Sequence, residues 1–356
     1  LFENMSSGWK GGYAFVLVAL ASEATLLFIA AQTGFLDGPR VLANMAVDRW
    51  FPTKFSILSS RLVIQNGIII MGGLSLVLMA ITGGSVRFLV VLYSINVFIT
   101  FVLSQLGMVR HWWASRAKVK GWGRKFIING IGLLLCAFIL ISMIVFKFNE
   151  GGWITFLITG ALVLLAIFIK RHYFNTAKLL HRLNSLVAVA EASGSSLVTS
   201  AQFDPNAKTA VLFVNGFNGV GLHTVFGVIR VFGGTFKNFV FVEVGVLDVG
   251  NFKGAEEVNR LTEHTNNDIK RYVDFMRGQG FYAEGFSLVG VDVISEADKI
   301  MPEISKRFPN MVIFGGQLVF PKESLLTRWL HNYTVFDMQR LFYRQGLPFI
   351  ILPIRV

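Results

Sequence analysis

Between Gly11 and Tyr173 long apolar runs are separated by short polar breaks. Five windows, at about 12–33, 62–81, 88–108, 127–146 and 153–169, approach the roughly 20 residues needed to cross a bilayer. One such window is compatible with a buried core helix; five in succession predict a membrane bundle. After Tyr173 the pattern changes. Residues 174–208 join a helical stretch, NTAKLLHRLNSLVAVAEA, to the breaker runs SGSS and DPNAK, and read as a linker. Beyond it, short apolar runs at Thr209–Val214, Phe239–Val246, Ala283–Val289, Met311–Phe314 and Phe349–Leu352 predict strands. Amphipathic stretches lie between them. The clearest covers Ala255–Gln279, with Val258, Leu261, Thr265, Ile269, Tyr272 and Met276 on one face. Strands alternating with helices predict a doubly wound parallel sheet. The expected organisation is a transmembrane domain at 1–173, a linker at 174–208 and an α/β domain at 209–356.

Composition agrees. Of 356 residues, 53% are hydrophobic and 15% charged, against roughly 25% charged in average soluble domains. The net charge of +12 raises the question of a nucleic-acid partner, and the placement of the cations answers it. Arg40, Arg49, Lys54 and Arg61 follow the first window. Arg110, Arg116, Lys118, Lys120, Arg124 and Lys125 follow the third, and Lys170, Arg171, Lys178 and Arg182 the fifth. The opposite connections carry only Lys10, Arg87 and Lys147. This is the positive-inside bias, and it predicts an inner-membrane protein with a cytoplasmic C-terminal domain. Nucleic acid is not expected. The tryptophans interleaved in HWWASRAKVKGWGRK read as an interfacial anchor rather than as a strand-binding surface. Cys136, in the fourth window, reads as packing. Five spans also put residue 1 outside the cell with neither a signal peptide nor a starting Met, which predicts the C-terminal part of a longer protein.

The stretch FLDGPRVLANMAVDRWFPTKF (Phe35–Phe55) resembles the cytoplasmic loop between the eighth and ninth helices of the amino acid–polyamine–organocation permease superfamily. VVLYSINVFITFVLSQLGMVRHWW (Val90–Trp113) resembles its tenth helix, and KFNEGGWITFLITGALVLLAIFIKRHY (Lys147–Tyr173) its twelfth with the preceding turn. Within the superfamily the chain is similar to the KimA-type branch, which couples these helices to a cytoplasmic α/β domain resembling universal stress proteins. The resemblance implies five C-terminal helices of a LeuT/APC-like inverted-repeat fold. It implies proton symport of an amino acid, with potassium as the alternative solute.

In lipid the few polar residues become informative. Glu23 is the only ionisable residue deep in any window. A mid-membrane acid costs about 2.5–3.5 kcal/mol on insertion scales, so it faces a bundle interior or a watery path. It reads as a proton carrier, or otherwise as a hydrogen-bonded strut between helices. Tyr93, Asn96, Thr100, Ser104 and Gly107 recur at helical spacing and form one stripe. The stripe either lines the solute route or packs against a neighbour. The Gly38–Pro39 pair is expected to end the first helix, leaving Asp37 and Arg40 as a plain loop or an inner gate. Gln65 and Asn66 read as interfacial.

In the soluble half, VNGFNGVGLHT (Val214–Thr224) follows a strand and opens a helix, the place where ligands bind in such sheets. Asn215, Gly216, Gly219 and Gly316 are the candidate ligand residues, with tight-turn geometry as the alternative for the glycines. The spacing is neither a dinucleotide fingerprint nor a P-loop. The stress-protein ATP pattern is broken by LVFPKES and by His331–Asn332 where Gly-Ser is needed. On the resemblance alone, a regulatory nucleotide such as cyclic di-AMP stays open, as does a homodimer. No G-x-S-x-G, H-E-x-x-H or zinc spacing occurs in the sequence, so no enzyme, metal or cofactor is expected. The rival to a transporter is a membrane-tethered nucleotide sensor.

Overall fold

A computed structural model describes residues 12–193, 201–252, 254–320, 330 and 334–355. The apolar half forms helices α1 (Gly12–Val47), α2 (Gln65–Ile81), α3 (Val86–Ala114), α4 (Trp122–Lys147) and α5 (Trp153–Leu183). Among the described residues, three helical runs are long and apolar enough to cross a membrane: Gly12–Val47, Val86–Ala114 and Trp122–Ala188. The count therefore departs from five separate spans. The second window yields a 17-residue helix, α2, at the short limit for a bilayer. The fourth and fifth join through the π-turn Phe148–Gly152, where Gly151 adopts φ 106° and breaks the helix. The chain divides into two compact units, Gly72–Phe168 and the remainder.

In the Gly72–Phe168 unit, α3 and α4 form a helical hairpin. Its closing turn is lined by aromatics and cations. The Trp113 and Phe126 rings lie 5.6 Å apart, the Arg116 guanidinium sits 4.9 Å from the Trp113 ring, and Lys125 Nζ lies 4.5 Å from the Trp112 ring. Such cation–ring contacts suit an interfacial depth, where the rings are half in lipid and the charges in water.

In the other unit α1 does not stop at Gly38–Pro39. It continues to Val47 with Pro39 buried inside it. A proline inside a helix loses one backbone hydrogen bond and crowds the carbonyl four residues before it, at about 3 kcal/mol or more, and here the helix continues with the ring packed away from water. Pro39 packs on Gly67, whose absent side chain leaves it room, and Gly38 meets Met71. The basic segment after α1 is then stitched to the chain's later half. The Val249 N–H donates to the Ser56 carbonyl (3.0 Å) beside an antiparallel bridge between Ile57 and Asp248. Lys170 Nζ donates to the Asp48 carbonyl (2.6 Å), and the Tyr173 hydroxyl donates to the Leu330 carbonyl (2.8 Å). Asn66 donates to the Lys54 carbonyl at 3.0 Å, so it closes the loop.

The C-terminal half is a five-stranded, all-parallel sheet in the order β3-β2-β1-β4-β5. Its strands are β1 (Lys208–Val214), β2 (Phe236–Val246), β3 (Tyr282–Gly290), β4 (Met311–Val319) and β5 (Phe349–Arg355). The strands at the sheet's centre read as unbroken apolar runs because both faces are covered. Helices α7 (Gly219–Phe232) and α8 (Ala255–Gly278) cover one face with Leu222, Val225, Ile269 and Met276. On the other, α9 (Val293–Arg307) and α10 (Thr334–Arg344) place Met301, Ile304, Met338 and Phe342. The doubly wound expectation is met. Part of the expected linker is built into the domain. Helix α5 runs on to Leu183, and α6 (Ser185–Ser193) adds Leu186, Val187 and Ala190 to the α7–α8 side of the core.

Candidate functional site

The membrane-half residues singled out from sequence occupy unlike surroundings. Glu23 is exposed on a stretch of α1 where residues 21–37 are all exposed, and it has no ion-pair or hydrogen-bond partner among the described residues. On α3, Asn96 is half-buried. Its Oδ1 accepts from the Thr159 hydroxyl of α5 at 2.9 Å, while its Nδ2 donates to the Leu92 carbonyl at 3.0 Å. The Thr100 hydroxyl donates to the Asn96 carbonyl at 2.9 Å. Tyr93, Thr100, Ser104 and Gly107 remain exposed. One member of the stripe, Asn96, ties α3 to α5. Asp37 and Arg40 are exposed, one helical turn apart on α1 rather than in a loop, and no ion pair joins them. A polar contact absent from the sequence reading is Gln105, packed over Gly132 of α4. Its buried Oε1 lacks a partner among the described residues.

In the α/β domain the sheet order reverses between β1 and β4, which opens a crevice at their C-terminal ends. A cleft of about 430 Å³ lies there, bordered by Asn215, Asn218, Thr224, Gly315, Gly316 and Gln317 among others, its lining side chains uncharged among the described residues. Asn215 and Gly316 thus meet at one site. Gly216 and Gly219 serve the turn behind it. Gly216 has φ +77°, which an L side chain rarely adopts. Gly219 abuts the backbone of Leu183 at the end of α5, and its N–H donates to Asn184 Oδ1 at 3.3 Å. Asn218 caps α7, accepting from the N–H groups of Val220 (3.0 Å) and Gly221 (3.1 Å), as helix N-caps do. The Gly315–Gly316 pair lies inside β4, not after it. Side chains on these glycines would meet Val335 and Phe349, or Thr224 and Ile354, so the pair lets neighbouring elements close in. His331–Asn332 lies outside the described residues.

Behind the turn sits a polar cluster that the sequence reading did not identify. Glu243 on β2 is 5% exposed and Asp268 on α8 is 3% exposed. Glu243 Oε1 accepts from the Gly216 N–H at 2.9 Å, and the Tyr272 hydroxyl donates to the Gly216 carbonyl at 3.0 Å. Asp268 lies 3.4 Å from His264 Nε2 and 3.8 Å from the Arg271 guanidinium. Glu243 Oε2 is buried without a partner among the described residues. Desolvation pushes the Glu243 carboxyl up from 4.5 to about 7. The Gly216 N–H opposes this shift and the Asp268 charge adds to it. The folded chain therefore keeps this proton over a pH window in which the unfolded chain has lost it. Stability from this group is present below pH 4.5 and lost as pH rises through about 7, by roughly 2–3 kcal/mol. Burial likewise drives the Tyr272 hydroxyl well above its ordinary value, so it stays a donor. Tyr272→Phe should cost about 1–2 kcal/mol, because the Gly216 carbonyl loses its partner. Hydrogen exchange of the β1 and β2 amides reads that change.

Residues 1–169 match the family described as amino acid permease. The chain is 38% identical over 170 residues to the potassium transporter KimA of Bacillus subtilis. That match takes in 48% of this chain and 28% of that protein, so the chain spans less than a third of its relative's length.

Proposed function

We propose that the protein acts in secondary active transport in the inner membrane, with the α/β domain on the cytoplasmic side as its regulator. The observation that carries this reading is the similarity of the helical half to permeases and to a potassium transporter. The relative's name makes potassium the first solute to test, with proton coupling as the proposed drive. The family description supports an amino acid as the second reading. Glu23 is the proposed proton carrier, and Tyr93, Asn96, Thr100 and Ser104 line the proposed route. An exposed carboxyl in lipid requires protein or water against it, so the Glu23 face of α1 is the proposed seat of a partner helix or an aqueous path. Asp37 and Arg40 serve as an inner gate only if the two close on each other during the cycle. In the α/β domain the uncharged cleft at the β1/β4 crevice, with Asn215 and Gly316 at its edge, is the proposed seat of a regulatory nucleotide. Dimerisation through this domain is a further proposal.

The test is uptake into vesicles by the gene product expressed from its complete reading frame. Under an imposed proton gradient, accumulation of a potassium tracer supports the first reading and accumulation of a labelled amino acid the second. Accumulation of neither, with calorimetric binding of ATP or cyclic di-AMP intact, favours a membrane-tethered sensor.

A further inference from the structure

The Asn215–Gly219 turn joins three things at once. It borders the cleft, it receives the end of α5 through Gly219, Leu183 and Asn184, and it covers two buried carboxyls. Gly216 N–H is held by Glu243 and Gly216 C=O by Tyr272, so both ends of this peptide unit depend on the cluster beneath. The second Glu243 oxygen is buried and has no hydrogen-bond partner among the described residues.

We propose that Glu243 is the proton-binding element of a switch that sets the order of the Asn215–Gly219 turn and, through it, the seating of the α5 end. Protonated, Glu243 is neutral and accepts the Gly216 N–H. Ionised, it places a second buried negative charge near that of Asp268, with no donor for Oε2 among the described residues. Like charges out of water repel strongly, and the relief available is for water to enter through the turn. Acid then tightens the turn and alkali loosens it.

The titratable groups that act on Glu243 come from α8: Asp268 directly, and Tyr272. Arg271 and His264, also on α8, engage Asp268. At the level of Glu243 the flanking strands present Val214 and Ser287. Neither the 215–218 turn nor the first turn of α7, Gly219–Leu222, carries an ionisable side chain. The surroundings thus leave Asp268 as the charged side chain that acts directly on Glu243.

The consequence for transport rests on the regulatory reading of this domain, while the measurement does not. Hydrogen exchange over residues 214–221 is followed in the detergent-solubilised protein from pH 5.5 to 8.5, corrected for the intrinsic rate. Protection should fall roughly tenfold or more across neutrality. Glu243→Gln, whose amide still accepts from Gly216 and can donate toward Asp268, should hold the protected state at every pH. Asp268→Asn should move the midpoint to more acidic pH by removing the like charge. Flat wild-type protection, or a pH response that survives in Glu243→Gln, overturns the switch. Because the readout is local and needs no uptake, a failed transport assay leaves this result standing on its own.

Discussion

Glu23→Gln in the vesicle-reconstituted protein is expected to abolish proton-driven accumulation while leaving the protein folded and inserted. Glutamine keeps the size and hydrogen-bonding capacity of the side chain and removes the exchangeable proton. A strut between helices would hardly notice the change, since interhelical hydrogen bonds in membranes average about 0.6 kcal/mol, a factor of roughly three. A carrier would lose its function, with a fall in gradient-driven uptake on the order of tenfold or more, because no other carboxylate, histidine, lysine or arginine lies deep in the apolar windows to replace it. Exchange of solute down its own gradient should survive better than accumulation against it. Equal loss of both would point to a structural failure, and loss of neither would remove Glu23 from the coupling.

The second large effect is expected at Gly221→Ala. An alanine here would ordinarily help a helix by up to about 1 kcal/mol. The added methyl, however, falls on the hydroxyl of Tyr272, and Tyr272 is fully buried against Phe217 and Phe241 with ring centroids at 4.7 and 4.9 Å. A ring so enclosed cannot swing aside. Overpacking of this kind costs about 1–3 kcal/mol, and displacing the hydroxyl from the Gly216 carbonyl costs about 1 kcal/mol more. The net loss is about 1–3 kcal/mol of domain stability, read by hydrogen exchange of the β1 and β2 amides. The double variant Gly221→Ala with Tyr272→Phe, which deletes the obstructing oxygen, should be more stable than Gly221→Ala alone. Simple additivity would contradict the contact.

The architecture was largely legible where a single period repeats. Val258 to Met276 on one face placed α8, and strand–helix alternation placed the parallel sheet. What pattern reading missed was decided by contacts distant in sequence. Pro39 stays inside α1 because Gly67 and the segment around it make room, and nothing near Pro39 announces this. Leu183 belongs to the domain edge because Gly219 leaves room for it, and Ala190 because α7 and α8 receive α6, although their own stretch reads as a linker. The glycines of the 214–224 loop marked the right end of the sheet, yet their roles divide between turn and packing rather than direct contact with the cleft. Glu243 was open to the same inference as Glu23. Each is a lone acid in an apolar run, and in FVFVEVGV it lies on a strand whose burial pattern is continuous. Its partner Asp268 sits in the polar-looking helix α8, where only the fold reveals that it faces inward.

The measurement that bears most directly on the account is cysteine accessibility along α3 in native membranes, after Cys136 is replaced by alanine. Single cysteines at Tyr93, Thr100 and Ser104 should react with a water-soluble thiol reagent and be protected by the transported solute. Those at Val102 and Leu106, on the apolar side of the same helix, should stay unreactive. Uniform reactivity around the helix, or none at the polar stripe, would contradict a solute route through this half of the protein.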